Sequence, residues 1–239
     1  GYGAVIGASV MAGRLVTGFL IDRVFAPYIT AGVFSLVACG CLALGLGGIE
    51  YALVAAIAVA GGRAVGISGK DGGLIQARKL MAVSKSDDDA ARAAIDLGYV
   101  GEPAHIDTRV IEALNAARLI PVVAPIGVGA AGETFNINAD TSAGAIAAAL
   151  GATRMLMLTD VPGVLDHDGN LLTELRISEA EALIRDGTVS GGMIPKVETC
   201  INAVLGGAEA AVIMDGRVPH ALLVELFTEH GIGTFIKAD

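Results

Sequence analysis

The sequence predicts an α/β fold for residues 61–239, preceded by an all-α pair of transmembrane-like helices in residues 1–60. Charge is the first observation behind this division. Residues 1–60 contain four charged side chains, whereas the whole chain has 16 basic and 25 acidic ones. The second observation is that short apolar runs alternate with helical patterns only after residue 60. We therefore predict two domains, residues 1–60 and residues 61–239.

The first domain has the composition of a membrane hairpin. Residues 29–49 contain no charged side chain, and a helix of this length spans about 31 Å, enough for the core of a bilayer. Residues 1–20 form a second apolar stretch, interrupted only by Arg14. Asp22 and Arg23 lie in the polar turn between the two stretches. The pattern therefore predicts two transmembrane helices.

The segment "GRLVTGFLIDR", residues 13–23, resembles the signature between two helices of major facilitator superfamily transporters. A hairpin from some other membrane protein is the alternative. In either case two helices cannot enclose a transport path, which requires a bundle around a site at the midplane. We expect no transport by this segment alone.

The second domain alternates between strand and helix patterns, which indicates a mostly parallel sheet covered on both faces. A turn at Asp168 and Gly169 adds a hairpin. The predicted strands are residues 63–69, 120–126, 154–160 and 210–216, and the predicted helices are residues 107–118, 141–150, 178–186, 194–205 and 219–230.

Charge and cysteine content exclude several classes of function. The formal net charge is −9, without a basic stripe, which argues against a nucleic-acid partner. The three cysteines form no CxxC pair and no disulfide framework. This pattern indicates a reducing compartment.

The segment "SGGMIPKVETC" predicts a phosphate site. Ser190, Gly191 and Gly192 form a loop that opens a helix, and such a loop offers free N–H groups to an anion. Lys196 follows in the first turn, where a cation is unfavourable unless an anion lies beside it. A lysine that extends over the surface without a ligand is the alternative.

The segment "GETFNINADTSAG" predicts a site for a small polar ligand. In an extended chain Asn136, Asn138 and Asp140 share one face. Asp140 would then cap the following helix, and capping alone is one explanation for it. Capping does not explain the two asparagines, because Asn is depleted in strands.

Two further segments carry weaker signals. Thr159 and Asp160 end a buried strand, where an Asp is costly unless it is exposed or engaged. Lys70 and Asp71 lie between glycines in "GKDGG", for which a plain turn with solvated charges is the alternative.

Taken together, these motifs resemble the N-acetylglutamate kinases of the amino-acid kinase family. The resemblance runs almost continuously over residues 63–236, through "VGISGKDGGLI", "GETFNINAD", "LMLTDVPGVLD" and "SGGMIPKVETC". It implies the amino-acid kinase α/β sandwich. It also implies phosphorylation of N-acetyl-L-glutamate by ATP in arginine biosynthesis, with Mg²⁺ carried by the nucleotide and no metal site of the protein's own.

The resemblance also assigns roles to individual residues. Lys196 would neutralise the transferring phosphoryl group, and Asp140 would orient the catalytic lysines. Asn136 and Asn138 would bind the substrate. The residues implied for the nucleotide pocket are Thr159, Asp160, Ser190, Gly191, Gly192 and Met193, and those implied for an allosteric L-arginine site are His230, Gly231 and Gly233.

One part of the family's pattern does not occur in residues 1–60, namely the N-terminal lysine–glycine–glycine phosphate loop and the arginine that binds substrate. The α/β part is therefore predicted to be incomplete, and this chain alone is expected to be poorly active or inactive. We favour a spliced or misassembled reading frame over a natural fusion. The alternative is a transporter fragment that carries a non-catalytic nucleotide- or arginine-binding domain.

The resemblance further implies a homo-oligomer. Residues 61–239 are expected to lie in the cytoplasm. The protein would be membrane-associated if residues 1–60 are genuine.

Overall fold

The computed structural model describes residues 49–83, 94–228 and 231–239. Of the predicted transmembrane-like domain, residues 49–60 are described; residues 1–48 lie outside these ranges, and so does His230. Within the described ranges, no helix has both the length and the apolar character needed to cross a membrane.

The chain divides into two compact units, Gly1–Val59 and Ala60–Asp239. The described part of the first unit is one helix, α1 (Ile49–Val59). The second unit contains β1 (Ala64–Ser68), β2 (Ile75–Val83), β3 (Ala94–Ile106), α2 (Arg109–Ala116), β4 (Ile120–Ala124), β5 (Ile126–Val128), β6 (Thr134–Ile137), α3 (Ala139–Ala149), β7 (Met155–Thr159), β8 (Glu174–Arg176), α4 (Ile177–Arg185), α5 (Met193–Leu205), β9 (Ala210–Asp215), α6 (Ala221–Phe227) and β10 (Thr234–Lys237).

The α/β prediction for the second unit is confirmed. Each of the four predicted strands and five predicted helices corresponds to an observed element, with ends that differ by a few residues. The predicted hairpin is also present, with Leu165 bridged to Leu171 and Gly169 at a φ of +83°.

The strands form three hydrogen-bonded groups. β1 pairs with β4, and β7, β9, β10 and β8 form a four-stranded sheet in that order. β2, β3, β6 and β5 close into a small barrel. Of the eight pairings between described strands, five are parallel and three are antiparallel. Antiparallel pairs are therefore more frequent than expected from the sequence, whose apolar runs predict a mostly parallel sheet.

The long hairpin of β2 and β3 has no counterpart in the sequence prediction. Its strands are half polar, with Arg78 paired to Glu102 at 2.7 Å and Lys79 to Asp96 at 2.6 Å. Buried and exposed residues alternate over residues 75–78, as expected for a strand with one face in solvent. A search for fully apolar runs misses this type of strand.

The largest of the buried clusters in the second unit includes residues of the four-stranded sheet and of α5, and a separate one joins β2, β6 and α2. Residues 210–214 of β9 are all buried, which accounts for the uninterrupted apolar run there. The inner face of α5 packs against β9 through Val197, Cys200, Ile201 and Val204. This packing fixes the helix whose first turn carries Lys196.

Candidate active site

The first turns of two helices bring Lys196 and Asp140 together. The Lys196 Nζ atom donates a hydrogen bond to Asp140 Oδ2 at 2.9 Å. The side chains are 26% and 35% exposed, so the pair is held by the protein and still reachable by a ligand. Lys196 and Asp140 are 56 positions apart in the chain, and the sequence placed both in one site only through the family resemblance.

Local structure explains why a lysine is tolerated at this position. α5 begins directly after Gly192, and neither a side-chain cap nor an acidic residue occupies its first turn. The N-terminal end of a helix therefore faces the site with its partial positive charge, and Lys196 adds a full one. Asp140 offsets part of this charge. The remaining field favours an anion such as a phosphate group.

Close packing between α3 and α5 sets the distance within this pair. A Cβ atom on Gly144 of α3 would lie 2.9 Å from Thr199 Cγ2 of α5, so only a hydrogen fits there. Thr199 cannot turn away freely, because its hydroxyl donates to the Pro195 carbonyl at 2.8 Å. Glycine at this position lets the two helices approach closely.

Cys200 lies one turn after Lys196 and is fully buried. Burial, reinforced by the negative charge of Asp140, raises the pKa of the Cys200 thiol to about 12. The thiol therefore stays protonated near neutral pH and serves as a packing group, not as a nucleophile.

Asn138, and not Asp140, caps α3. The Asn138 side chain accepts a hydrogen bond from the Thr141 N–H at 3.0 Å, and the helix begins at Ala139. The expectation that Asp140 serves as the cap is therefore wrong. The extended segment ends two residues earlier than that expectation requires, and Asp140 becomes free to pair with Lys196.

Asn136 lies in β6 and faces a cavity of about 620 Å³. The other lining residues are Tyr99, Ile126, Glu133 and Thr134. Asn136 and Asn138 are both exposed, and the buried Ile137 lies between them. The two asparagines therefore lie on the accessible side of the segment that leads to Asp140, as the sequence predicts.

Thr159 and Asp160 lie at the carboxyl end of β7, beside the carboxyl end of β9. The Thr159 hydroxyl donates to Asp160 Oδ1 at 3.2 Å. The carboxyl ends of parallel strands are the usual position of ligands in α/β sheets.

Arg217 joins the ends of these two strands and was not singled out from the sequence. It donates to both carboxylate oxygens of Asp215, at 2.9 and 2.8 Å, and to the Asp160 carbonyl. Hydrogen bonds from Arg217 lower the pKa of Asp215 to about 2. An Asp and an Arg two residues apart after an apolar strand are the signal that could have identified the pair.

Only part of the predicted nucleotide loop, residues 190–193, lines a cavity. Ser190 and Met193 line a cavity of about 220 Å³ together with Val161–Leu165, Thr188 and Val189. Gly191 has a φ of +57°, and an added Cβ at Gly191 or Gly192 would meet nothing within 4 Å. Two of the four loop residues therefore line this cavity, while the two glycines face open space.

Gly231 and Gly233 line a separate cavity of about 320 Å³. Its wall includes Arg154, the buried Glu225 and Phe235. Glu225 Oε2 accepts from the Ile232 N–H at 2.9 Å, and the Arg154 guanidinium lies 5.5 Å from the centre of the Phe235 ring. Neither Arg154 nor Glu225 is among the residues predicted for this site: Arg154 is distant in sequence from the glycines, whereas Glu225 precedes Gly231 by six positions.

No group of three or more His, Cys, Asp or Glu side chains in the described part of the chain could hold a metal ion.

Comparison with known proteins identifies a family and a set of similar proteins. The model of the amino acid kinase family matches residues 29–215, so the match begins upstream of the predicted boundary at residue 61. Acetylglutamate kinase of Acidiphilium cryptum is 67% identical over 179 residues, which cover 75% of this chain and 60% of that protein. Acetylglutamate kinase of Novosphingobium aromaticivorans is 60% identical over 197 residues, which cover 80% and 65%. The chain thus spans less than two thirds of the length of these curated relatives.

Solved structures show the same fold. N-acetylglutamate synthase from Neisseria gonorrhoeae, complexed with coenzyme A and L-arginine, matches with a TM-score of 0.62 and 26% identity over 74% of this chain and 38% of that one. Carbamate kinase from Giardia lamblia bound to AMP-PNP matches with a TM-score of 0.56 and 19% identity over 84% and 75%. The family match covers well over half of the sequence, and the chain belongs to the amino acid kinase family.

Proposed function

We propose that this chain acts as an acetylglutamate kinase, which transfers the γ-phosphoryl group of ATP to the side-chain carboxylate of N-acetyl-L-glutamate. The observation that carries the proposal is the Lys196–Asp140 pair at the start of α5. The names of the most similar curated relatives support the choice of substrate. The transporter-fragment alternative gains no support from these relatives.

The proposed chemistry needs no nucleophilic side chain. A carboxylate oxygen of the substrate attacks the γ-phosphorus, the bond from that phosphorus to the β,γ-bridging oxygen breaks, and ADP leaves. An acyl phosphate results, and no proton has to be removed from the attacking carboxylate. Catalysis then consists of positioning the reactants and neutralising charge.

In this scheme Lys196 neutralises the oxygens of the transferring phosphoryl group, and Asp140 holds Lys196 in place. The Lys196 side chain is partly exposed, so its ammonium group is accessible to these oxygens. Asn136 and Asn138 bind the substrate from the neighbouring strand end. These roles assume that the hydrogen bond between Lys196 and Asp140 is kept when the substrates bind.

The nucleotide is proposed to occupy the carboxyl ends of β7 and β9. The cavity lined by residues 161–165 and Met193 is largely apolar in its side chains, which suits a base. Thr159, Asp160, Gly191 and Gly192 would surround the sugar and phosphates, and Mg²⁺ would arrive with ATP.

We place residues 61–239 in the cytoplasm and propose self-association into a homo-oligomer.

The proposal is tested by N-acetyl-L-glutamate-dependent formation of acyl phosphate from γ-³²P-labelled ATP. A low rate is measurable by this method, and a low rate is what the sequence leads us to expect. Lys196→Met should lower that rate by about 10²–10³-fold, the usual cost of losing one preorganised positive group. Lys79→Met removes an ammonium group that is paired with Asp96 and should leave the rate unchanged. Product that forms without N-acetyl-L-glutamate, or equally well in Lys196→Met, would refute the assignment.

We propose in addition that L-arginine binds the cavity beside Gly231 and Gly233, as the sequence resemblance implies. The L-arginine complex of the structurally similar synthase supports this choice of ligand. In this cavity the buried Glu225 carboxylate supplies a negative charge for the guanidinium group. His230 stays a predicted member of the site.

L-Arginine should therefore raise the unfolding temperature of the protein, because a ligand bound only by the folded state stabilises it. Glu225→Gln keeps the shape of the side chain and an oxygen that can accept from Ile232 but removes the charge. It should reduce the shift, whereas Glu181→Gln on the exposed face of α4 should not. An equal shift in the Glu225→Gln protein would exclude this site.

A further inference from the structure

Two segments of the described chain contain an Asp and an Arg that lie two positions apart and are joined through their side chains. In the first segment, Arg109 Nε donates to both carboxylate oxygens of Asp107, at 2.8 and 3.0 Å. In the second, Nε and Nη2 of Arg217 donate to the two carboxylate oxygens of Asp215, at 2.9 and 2.8 Å. Hydrogen bonds from the arginine lower the pKa of each Asp to about 2, so both pairs stay charged at neutral pH.

The Asp107–Arg109 pair shows that this geometry is local. In both segments the Asp carboxylate also accepts from the N–H of its own arginine, at 3.2 Å in the first and 2.9 Å in the second. The side chains are exposed to a similar degree: 83% for Arg109 and 68% for Arg217, and 18% and 16% for their partners. Such a pair therefore forms from three consecutive residues and needs no contact elsewhere.

Arg217 differs from Arg109 in a contact with a second strand. Its Nη2 atom also donates to the backbone carbonyl of Asp160, 57 positions away in the chain. Asp160 directly follows β7, whereas Arg217 follows β9. Within the described ranges, the Arg109 side chain donates to Asp107 alone. The link between two strand ends is therefore what distinguishes Arg217.

Two consecutive carbonyl groups after β7 are held by the segment that follows β9. The Gly216 N–H donates to the Thr159 carbonyl at 2.9 Å, and Arg217 donates to the next carbonyl, that of Asp160. Thr159 is half-buried and Asp160 is exposed, and the two side chains are hydrogen-bonded at 3.2 Å. The backbone of this turn is thereby fixed relative to β9, and the positions of both polar side chains follow from it.

The charges at these strand ends come from two carboxylates and one guanidinium group. The guanidinium forms its ion pair with Asp215 and also lies within the electrostatic influence of Asp160. The adjoining cavity, which begins at Val161, has no charged residue in its lining. Arg217 therefore reduces the negative charge beside the proposed nucleotide cavity, while the Asp160 carboxylate can still accept from the hydroxyl groups of a sugar.

We propose that Arg217 is a positioning residue that holds the turn at Thr159 and Asp160 in the conformation that receives the nucleotide. The inference rests on the proposed kinase function, in which this turn surrounds the sugar and phosphates. Arg217 acts through the Asp160 carbonyl and not through a contact of its own with the nucleotide. An arginine is needed because its planar group donates to a carboxylate and to a carbonyl at once, whereas the compact ammonium group of lysine lacks this geometry.

The test is calorimetric titration of the whole chain with ADP and, separately, with N-acetyl-L-glutamate. Arg217→Lys keeps a positive charge beside Asp215 but loses the link to Asp160. Affinity for ADP should fall by about five- to tenfold, the usual worth of one hydrogen bond, while affinity for N-acetyl-L-glutamate stays the same. Arg109→Lys is the matched control, because it alters the same kind of Asp–Arg pair without a link to another strand. It should bind both ligands as the wild-type protein does.

Unchanged affinity for ADP in Arg217→Lys would overturn the role of Arg217 and leave the kinase proposal intact. An equal loss in Arg109→Lys would overturn it too. So would a loss of affinity for both ligands in Arg217→Lys, which a merely structural role predicts.

A measurement on the wild-type protein decides the question if Arg217→Lys does not fold. In its NMR spectrum, ADP should shift the Nε–H signal of Arg217 and leave that of Arg109 in place. An Arg217 signal that does not respond to bound ADP would overturn the inference. If the wild-type protein does not bind ADP at all, the proposed nucleotide site fails, and the inference fails with it.

Discussion

The Asn138 side chain accepts from the Thr141 N–H at 3.0 Å and thereby satisfies one donor at the start of α3. The same residue is a proposed substrate ligand. A single position thus contributes to the stability of the helix and to binding, and suitable substitutions separate the two contributions.

Asn138→Ala should lower the free energy of unfolding by about 1 kcal/mol, because alanine cannot cap the helix. Asn138→Asp keeps the cap and should restore the stability. It places a carboxylate where the anionic substrate is proposed to bind, so affinity for N-acetyl-L-glutamate should fall while stability does not. Urea unfolding and calorimetric titration measure the two effects. Wild-type affinity in Asn138→Asp would show that Asn138 serves only as a cap.

At the scale of elements, the contact between α3 and α5 determines whether Asp140 and Lys196 can meet. Each helix contributes one member of the pair from its first turn. The glycine at position 144 allows the close approach described above. The helices therefore act as two rigid supports whose separation is set one turn away from the site.

Gly144→Val should force the helices apart, because even a Cβ atom would lie 2.9 Å from Thr199 Cγ2. Overpacking of this kind costs about 1–3 kcal/mol of unfolding free energy. Affinity for ATP should fall as well, since Lys196 moves away from Asp140. Ala143→Val introduces the same side chain on the exposed face of α3 and should cost well under about 1 kcal/mol. Similar losses of stability in the two variants would mean that the helices can adjust to the added volume.

At the scale of the whole molecule, the sequence predicts those strands and helices whose structure follows from a single local property, either composition or periodicity. The parallel strands β7 and β9 are apolar except for their last residues, Thr159 and Asp215, so they stand out from composition alone. The helices between them follow from their own periodicity. The β2–β3 hairpin does not, because one face is polar and its pairing depends on contacts between residues far apart in sequence.

The site shows the same limit. Lys196 is identifiable because a lysine in the first turn of a helix conflicts with a local rule. Its partner is not, because Asp140 at a helix start satisfies a local rule and gives no sign of a distant contact. Arg217 donates to the Asp160 carbonyl and Arg154 to the Glu225 carbonyl, and these contacts between distant residues exist only in the folded chain.

The proposed kinase function requires that Lys196 contacts the γ-phosphoryl group of the nucleotide. The most direct measurement compares the affinities of AMP-PNP and ADP for the wild-type and Lys196→Met proteins by calorimetry, in the presence of N-acetyl-L-glutamate. This comparison does not depend on turnover. We predict that the wild-type protein binds AMP-PNP more tightly than ADP and that Lys196→Met loses the difference while it still binds ADP. If Lys196→Met keeps the wild-type preference for AMP-PNP, Lys196 does not contact the transferred group, and its proposed catalytic role is wrong.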